Sequence, residues 1–269
     1  MPHRPHRVVE RLRAAGCVFA EEEATLLLAA ADQSAELEAL LQRRLSGVPL
    51  ELVLGWVEFA GLRISLDPGV FVPRRRSELL VMEAVARSQA AAVVVDLCCG
   101  SGALGVAVAN RRNDLRVYAA DLDPTAVACA RRNLAADRVF QGDLFDALPE
   151  RLKGQVDVLV VNAPYVPSEA VALMPREARL HEPRQALDGG PDGLDLHRRL
   201  AAQASGWVSP AGAVIMEISR AQAPALRRIF ETRGYSVVVI RHDELDATVA
   251  VATHATHSTH STSITAGSG

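Results

Sequence analysis

The residues able to do chemistry cluster at three places in the middle of the chain. The first is AAVVVDLCCGSGALG at 91–105, an apolar run followed by a glycine-rich turn and the start of a helical pattern. Gly100, Gly102 and Gly105 satisfy GxGxxG, and Asp121 closes the next apolar run, where a carboxylate can accept both hydroxyls of a ribose. A nucleoside cofactor is therefore expected. Asp96 narrows its identity, because it ends the first strand just before the turn, where a pyrophosphate needs the positive helix N-terminus unopposed. A carboxylate there repels phosphate and suits S-adenosylmethionine, which carries a sulfonium and an ammonium but no phosphate. Asp143, in GDLFDAL, is expected at the same sheet edge, within reach of an adenine amino group.

The third place is the end of the apolar run VDVLVV at 156–161, which leads into Asn162-Ala163-Pro164-Tyr165. Strands one and four are neighbours in a doubly wound sheet, so this tetrapeptide is expected to face the glycine turn across the switch point. A planar amide or exocyclic amino nitrogen is a poor nucleophile because its lone pair is delocalised. It has to be positioned and polarised. The Asn162 side-chain oxygen and the Ala163 carbonyl can each accept one hydrogen of such an NH2 group, aiming its lone pair at the sulfonium methyl for in-line displacement. Tyr165 can pack on the planar group, its ring face tolerating the positive charge that develops. No separate base is required before transfer, since the methylated cation loses its proton to water.

The elements that must position these residues alternate. A helix at 77–89 precedes apolar strands at 92–97, 116–120, 156–161, 212–218, 235–241 and 247–252, with a weaker strand near 137–140 making seven. HDELD between the last two is too short for a crossover helix, so the final strand is expected antiparallel. Ahead of this α/β domain, residues 1–66 read as three helices (4–15, 21–31, 35–45), stopped by Gly47 and Pro49, and a hairpin around Ala60-Gly61. A linker spans 67–76 and the main domain 77–252. Residues 253–269, rich in Thr, Ser, Gly and His, are expected to be disordered.

VVDLCCGSGALG, AADLDP, GDLF, VVNAPYVP, LHEPRQALDGGPDGLDLHRRL and VIMEIS together resemble the release factor glutamine methyltransferases, a family of class I S-adenosylmethionine-dependent enzymes. The resemblance runs from the N-terminal helices to about residue 252. It implies a seven-stranded mainly parallel sheet with an antiparallel last strand, and N5-methylation of a glutamine in the GGQ motif of peptide-chain release factors. It places cofactor contacts on Cys98, Cys99, Gly100, Ser101, Gly102, Asp121, Asp143 and Leu144, and amide binding on Asn162, Ala163, Pro164 and Tyr165. It also gives residues 1–66 a role in gripping the protein substrate.

Three features depart from the family pattern. Cys98 stands where glycine is usual, Ala163 replaces the first proline of NPPY, and Arg74, which matches the family, is followed by Arg75 and Arg76 where the linker usually carries an acidic residue after Pro-Arg. Ala163 still offers a carbonyl but loses the backbone restraint of proline. The arginine run reads as either a solvated turn or a contact to an acidic or phosphate-bearing partner. Glu182 and Asp188-Gly189-Gly190 are expected in a loop beside the site, the glycines permitting closure, with Glu217 near the same edge.

Composition limits the partners. Basic and acidic residues number 29 and 32, a net charge of −3, which does not suit binding through non-specific phosphate contacts. Cys17, Cys98, Cys99 and Cys129 include no CxxC, so neither a disulfide framework nor a zinc site is expected. No apolar run is long enough to span a membrane, and the cytoplasm is the expected compartment. Two other functions fit the same residues: N6-adenine methylation of nucleic acid, which needs base flipping and a basic cleft, and a non-catalytic methyltransferase-like binding module.

Overall fold

The computed structural model describes residues 4–255. Helices α1 (Arg4–Ala14), α2 (Ala20–Ala30) and α3 (Ser34–Leu45) lie within one residue of their expected places. They close on Val8, Leu12, Leu27, Leu37 and Leu41, a small core of their own. Helix α4 (Leu50–Leu54) was not anticipated. Pro49 reads as a helix stop, yet at φ −50° it caps the next helix, where its missing N–H is no loss.

Strands β1 (Trp56–Phe59) and β2 (Leu62–Ser65) pair antiparallel across Ala60 and Gly61, at φ 52° and 78°. Two left-handed residues match the twist of the flanking strands. The hairpin's buried Val57, Phe59 and Ile64 pack with Leu79, Leu80 and Val94 of the main domain, so it ties the helical region to the sheet.

After α5 (Glu78–Arg87) the chain alternates through β3 (Val93–Leu97), α6 (Ala103–Arg111), β4 (Arg116–Asp121), α7 (Pro124–Asn133), β5 (Val139–Gln141) and β6 (Val156–Val161). Helices α8 (Arg176–His181) and α9 (Asp195–Gln203) then lead to β7 (Val208–Glu217), α10 (Ala223–Glu231), β8 (Tyr235–His242) and β9 (Ala247–His254). The sheet order is β5-β4-β3-β6-β7-β9-β8, with β9 antiparallel to both neighbours. Every residue of β3 is buried: Val93, Val95 and Leu97 enter the core on one face of the sheet and Val94 enters the other. β3 pairs with β4 on one side and β6 on the other, so the winding reverses there and the carboxyl ends of three strands meet at one edge.

Three strand boundaries differ from expectation. β5 begins at Val139 rather than 137, since Ala136–Arg138 form a 3-10 turn. β7 begins at Val208 rather than 212, because its pairing with β6 jumps from Val156↔Val208 to Val158↔Ala213 across a bulge, and Ser-Pro-Ala-Gly reads locally as a turn. β9 runs through Thr253 and His254, past the expected start of disorder, and the His254 ring stacks on Tyr235 with centroids 4.6 Å apart. The rest of the low-complexity tail, from residue 256, lies outside the described residues. Among those described, no helix is long and apolar enough to cross a membrane.

Candidate active site

A cleft of about 1070 Å3, open to solvent, lies over the carboxyl ends of β3, β4 and β6. Cys98 starts its floor in the left-handed conformation, φ 60°. Glycine adopts that conformation freely, whereas a side chain there costs about 1–2 kcal/mol. The loop thus keeps a glycine's path with a cysteine on it. Burial, with Asp121 beside it, pushes the Cys98 thiol pKa well above its ordinary value. The next turns use real glycines, Gly100 at φ 55° and Gly102 at φ 77°.

Asp121 ties this loop to the end of β4. Its Oδ2 accepts the Gly100 N–H at 2.8 Å and its Oδ1 the Asp123 N–H at 2.9 Å, leaving each oxygen a lone pair for a ligand in the cleft it lines. Burial raises its pKa against the pull of those N–H groups. Asp96 lies at the carboxyl end of β3 where expected but turns its carboxylate elsewhere. It is buried and off the cleft wall, with Oδ2 accepting the Gly105 N–H at 2.9 Å inside the first turn of α6. A side-chain carbon on Gly105 would sit 3.3 Å from that oxygen, so glycine lets the carboxyl approach. Burial pushes its pKa up to about 8. Asp96 thus takes up one of the N–H groups that a pyrophosphate would use at this helix N-terminus.

S-adenosylmethionine suits the remaining wall. Ser101 lines the cleft with a buried Oγ that has no partner, and Asp121 has acceptor capacity to spare, so a ribose diol and an ammonium find polar atoms that need them. Leu122, Ala126 and Leu144 provide apolar surface for a flat base. Cys99 lines the cleft too, and packs with Ala119, Val127 and Ala130. Asp143 is on the rim as expected; its Oδ2 pairs with Arg199 at 2.6 Å, and its Oδ1 keeps acceptor capacity towards the cleft. Arg199, from α9, is a cleft residue that spacing did not single out. Across the rim, Gln185 donates to Asp123 at 2.9 Å and joins the loop after α8 to the cofactor turn.

The tetrapeptide follows β6 directly. Asn162 and Pro164 line the cleft, and Ala163 is buried with its carbonyl accepting no hydrogen bond among the described residues. Tyr165 is not on the cleft wall. Its hydroxyl donates to Glu217 Oε1 at 2.8 Å and its ring lies 6.0 Å from the Arg76 guanidinium, so the expected stacking on the substrate group is not what this geometry provides. Asn162 Nδ2 donates to Ser77 Oγ at 3.2 Å, and Ser77 Oγ donates to Glu217 Oε2 at 2.6 Å. Arg76 Nε completes the set on Glu217 Oε1 at 2.9 Å.

The same contacts revise the arginine run. Arg74 pairs with the buried Glu182 and Arg76 with the buried Glu217. Arg75 and Arg76 are both exposed, and of the three only Arg75 has no ion pair among the described residues. Two of the three arginines thus brace the site from within. The glycines of the 188–193 loop also have a different use from closure. Side-chain carbons at Gly189 and Gly193 would lie 2.6 Å from the Pro164 carbonyl oxygen and 2.2 Å from that of Tyr165. They are glycine so that the loop can press on the tetrapeptide's backbone. Gln222 fastens the contact, donating to the carbonyls of Tyr165 at 2.7 Å and Asp192 at 3.0 Å. One signal for this bracing was present in the sequence: Glu217 is a lone acid at the end of a buried apolar strand, which demands partners.

A nucleoside cleft at the switch point, on a seven-stranded sheet with its last strand inserted antiparallel, defines a class I S-adenosylmethionine-dependent methyltransferase. Residues 61–193 match the methyltransferase small domain family. A release factor glutamine methyltransferase of Geobacter sulfurreducens is 35% identical over 208 residues, 76% of this chain and 72% of the relative. A 4-amino-L-phenylalanine/4-methylamino-L-phenylalanine methyltransferase of Streptomyces pristinaespiralis is 36% identical over 72% of this chain and 70% of its own. The fold also matches a methyltransferase structure from Pyrococcus furiosus, TM-score 0.54 at 20% identity, over 71% of this chain and 88% of that one. The chain belongs to the release factor glutamine methyltransferase family.

Proposed function

We propose that this protein transfers a methyl group from S-adenosylmethionine to the side-chain amide nitrogen of a glutamine, in the GGQ motif of a peptide-chain release factor. One observation carries the reading: Asn162 shares a single cleft with the glycine loop, on the strand beside it, and the next residue has an unengaged carbonyl. S-adenosylmethionine supplies an electrophilic methyl on its sulfonium. Asn162 Oδ1 and the Ala163 carbonyl accept the two hydrogens of the substrate NH2, which polarises the amide and directs its lone pair. Val70, Phe71, Pro164 and Pro183 line the cleft with apolar surface, which lowers the local polarity around those hydrogen bonds. The backbone restraint that proline would bring at residue 163 is replaced by the glycine loop and Gln222 behind it. Helices α1–α3 grip the protein substrate, and the protein works in the cytoplasm without nucleic-acid contact.

The test is incubation with labelled S-adenosylmethionine and recombinant release factor, followed by peptide mass spectrometry. Label on the GGQ glutamine is expected. Label on 4-amino-L-phenylalanine or on duplex DNA, with none on the release factor, would overturn the substrate. No calorimetric affinity for S-adenosylmethionine would overturn the enzyme reading.

A further inference from the structure

We propose that Ser77 and Glu217 are positioning residues that set which end of the Asn162 amide faces the cleft, acting through a one-way chain of hydrogen bonds. The inference rests on the amide-methylating role proposed above. An asparagine amide is nearly symmetric in shape, and presenting its NH2 instead of its oxygen would repel the substrate NH2 it has to hold. Something must choose between the two orientations.

The donor and acceptor inventory makes the choice. The Glu217 carboxylate, buried at the end of β7, can only accept, and it has three donors: Ser77 Oγ at 2.6 Å, Tyr165 OH at 2.8 Å and Arg76 Nε at 2.9 Å. A serine hydroxyl has one hydrogen. Because Ser77 gives it to Glu217, its oxygen can only accept from Asn162, which must turn its NH2 towards Ser77 at 3.2 Å. Oδ1 is then the end left for the substrate. Had Ser77 been free to rotate, either orientation would have been satisfied.

The chain's own departures strengthen this arrangement. Arg76, one of the two linker arginines that depart from the family pattern, pairs with a carboxylate whose side chain is 2% exposed and which would otherwise be an uncompensated buried charge. Burial and Glu217 together push the Tyr165 phenol well above its ordinary pKa, so it stays a donor. Tyr165 therefore serves the chemistry from behind the strand.

Removal and inversion of the relay test it. Ser77→Ala is expected to lower kcat about tenfold or more while the KM for release factor, the Kd for S-adenosylmethionine and the melting temperature change little. Ser77→Thr, which keeps the hydroxyl, should return kcat to within about threefold of the parent. Glu217→Gln is isosteric and can offer its own NH2 to Ser77, freeing that hydroxyl to donate to Asn162, so kcat should fall with the fold intact. An unchanged kcat in both Ser77→Ala and Glu217→Gln would overturn the proposal. So would a loss that tracks melting temperature and that threonine fails to rescue. A parent enzyme that methylates no release factor would defeat only the functional reading, since the relay has a readout without turnover. The Asn162 side-chain 15N–H signals, assigned by their loss in Asn162→Ala, should move on Ser77→Ala; signals that stay in place would overturn the relay.

Discussion

The cofactor loop and the amide-binding tetrapeptide sit on neighbouring strands, yet they are held by opposite means. The loop is held locally: Asp96 binds Gly105, nine residues on, and Asp121 binds Gly100, 21 residues back. The tetrapeptide is held from far along the chain, with Ser77 85 residues from Asn162, Glu217 52 from Tyr165 and Gln222 57 from Tyr165. The cradle is made by two adjoining strand ends, a turn and the start of one helix. A polarising group that must be correct in orientation as well as place draws on the whole domain.

Breaking each side should leave a different signature. The largest effect is expected from Asn162→Ala, which removes an oriented acceptor at the reacting group: a loss of about 100- to 1000-fold in kcat, with cofactor Kd unchanged. A parallel loss of cofactor affinity in calorimetry would mean that the two regions are one unit. On the loop side, Asp96 is held up to a pKa of about 8 by burial, against an ordinary 3.8. The folded state therefore binds the proton more tightly, and stability falls as pH rises from about 4 to about 8, then levels off. Asp96→Asn keeps a carbonyl for Gly105 and cannot ionise. The difference in denaturation midpoint between parent and variant should turn against the parent across that window. His197, buried with both ring nitrogens unpartnered and a pKa lowered to about 4, loses stability in the other direction as pH falls, but it does so in both proteins and cancels. A flat difference would mean that Asp96 ionises freely and faces the cleft, as the sequence suggested.

The clamp behind the tetrapeptide can be tested at Gly193. Its φ is 77° and an added side-chain carbon would lie 2.4 Å from Gln222 Nε2 as well as against the Tyr165 carbonyl. Gly193→Ala should cost about 1–3 kcal/mol in chemical denaturation, as overpacking against backbone does. A variant as stable as the parent would show the 188–193 loop to be loose, and the closure reading of its glycines would return.

How much was legible follows the same division. The alternation of strands and helices, the antiparallel last strand and the places of the glycine loop, Asp121 and Asn162 were visible, because each is written in a contiguous pattern of apolar runs, turns and one acidic residue; the full sheet order, with β9 between β7 and β8, was not. What escaped was whatever depends on two distant segments meeting. Arg74 and Arg76 look like a solvated basic turn until Glu182 and Glu217 arrive beside them. Ser77 looks like the ordinary start of a helix, Arg199 like an exposed helical arginine, and Ser-Pro-Ala-Gly at 209–212 like a turn rather than a bulged strand. Asp96 was located correctly but misread in role, since period and position give a side chain's place and not the partner it finds.

The smallest effect separates strain from packing at Cys98. With φ at 60°, this residue bears about 1–2 kcal/mol that glycine would not. Glycine returns about 0.4–1 kcal/mol of that as unfolded-chain entropy, and it also gives up the contacts of a side chain packed against the main core. The terms nearly cancel, so Cys98→Gly should fall within about 1 kcal/mol of the parent. Cys98→Ala keeps the strain and loses the sulfur, and it should be no more stable than the glycine variant although it fills more space. Cys98→Val, β-branched at a left-handed position, should be the least stable of the three. If alanine proves clearly more stable than glycine in urea denaturation, the left-handed backbone is not under strain and the local side of the comparison fails. If the order holds, the cofactor loop keeps a glycine's geometry because Asp121 and the Gly102 turn enforce it on whatever residue stands at position 98.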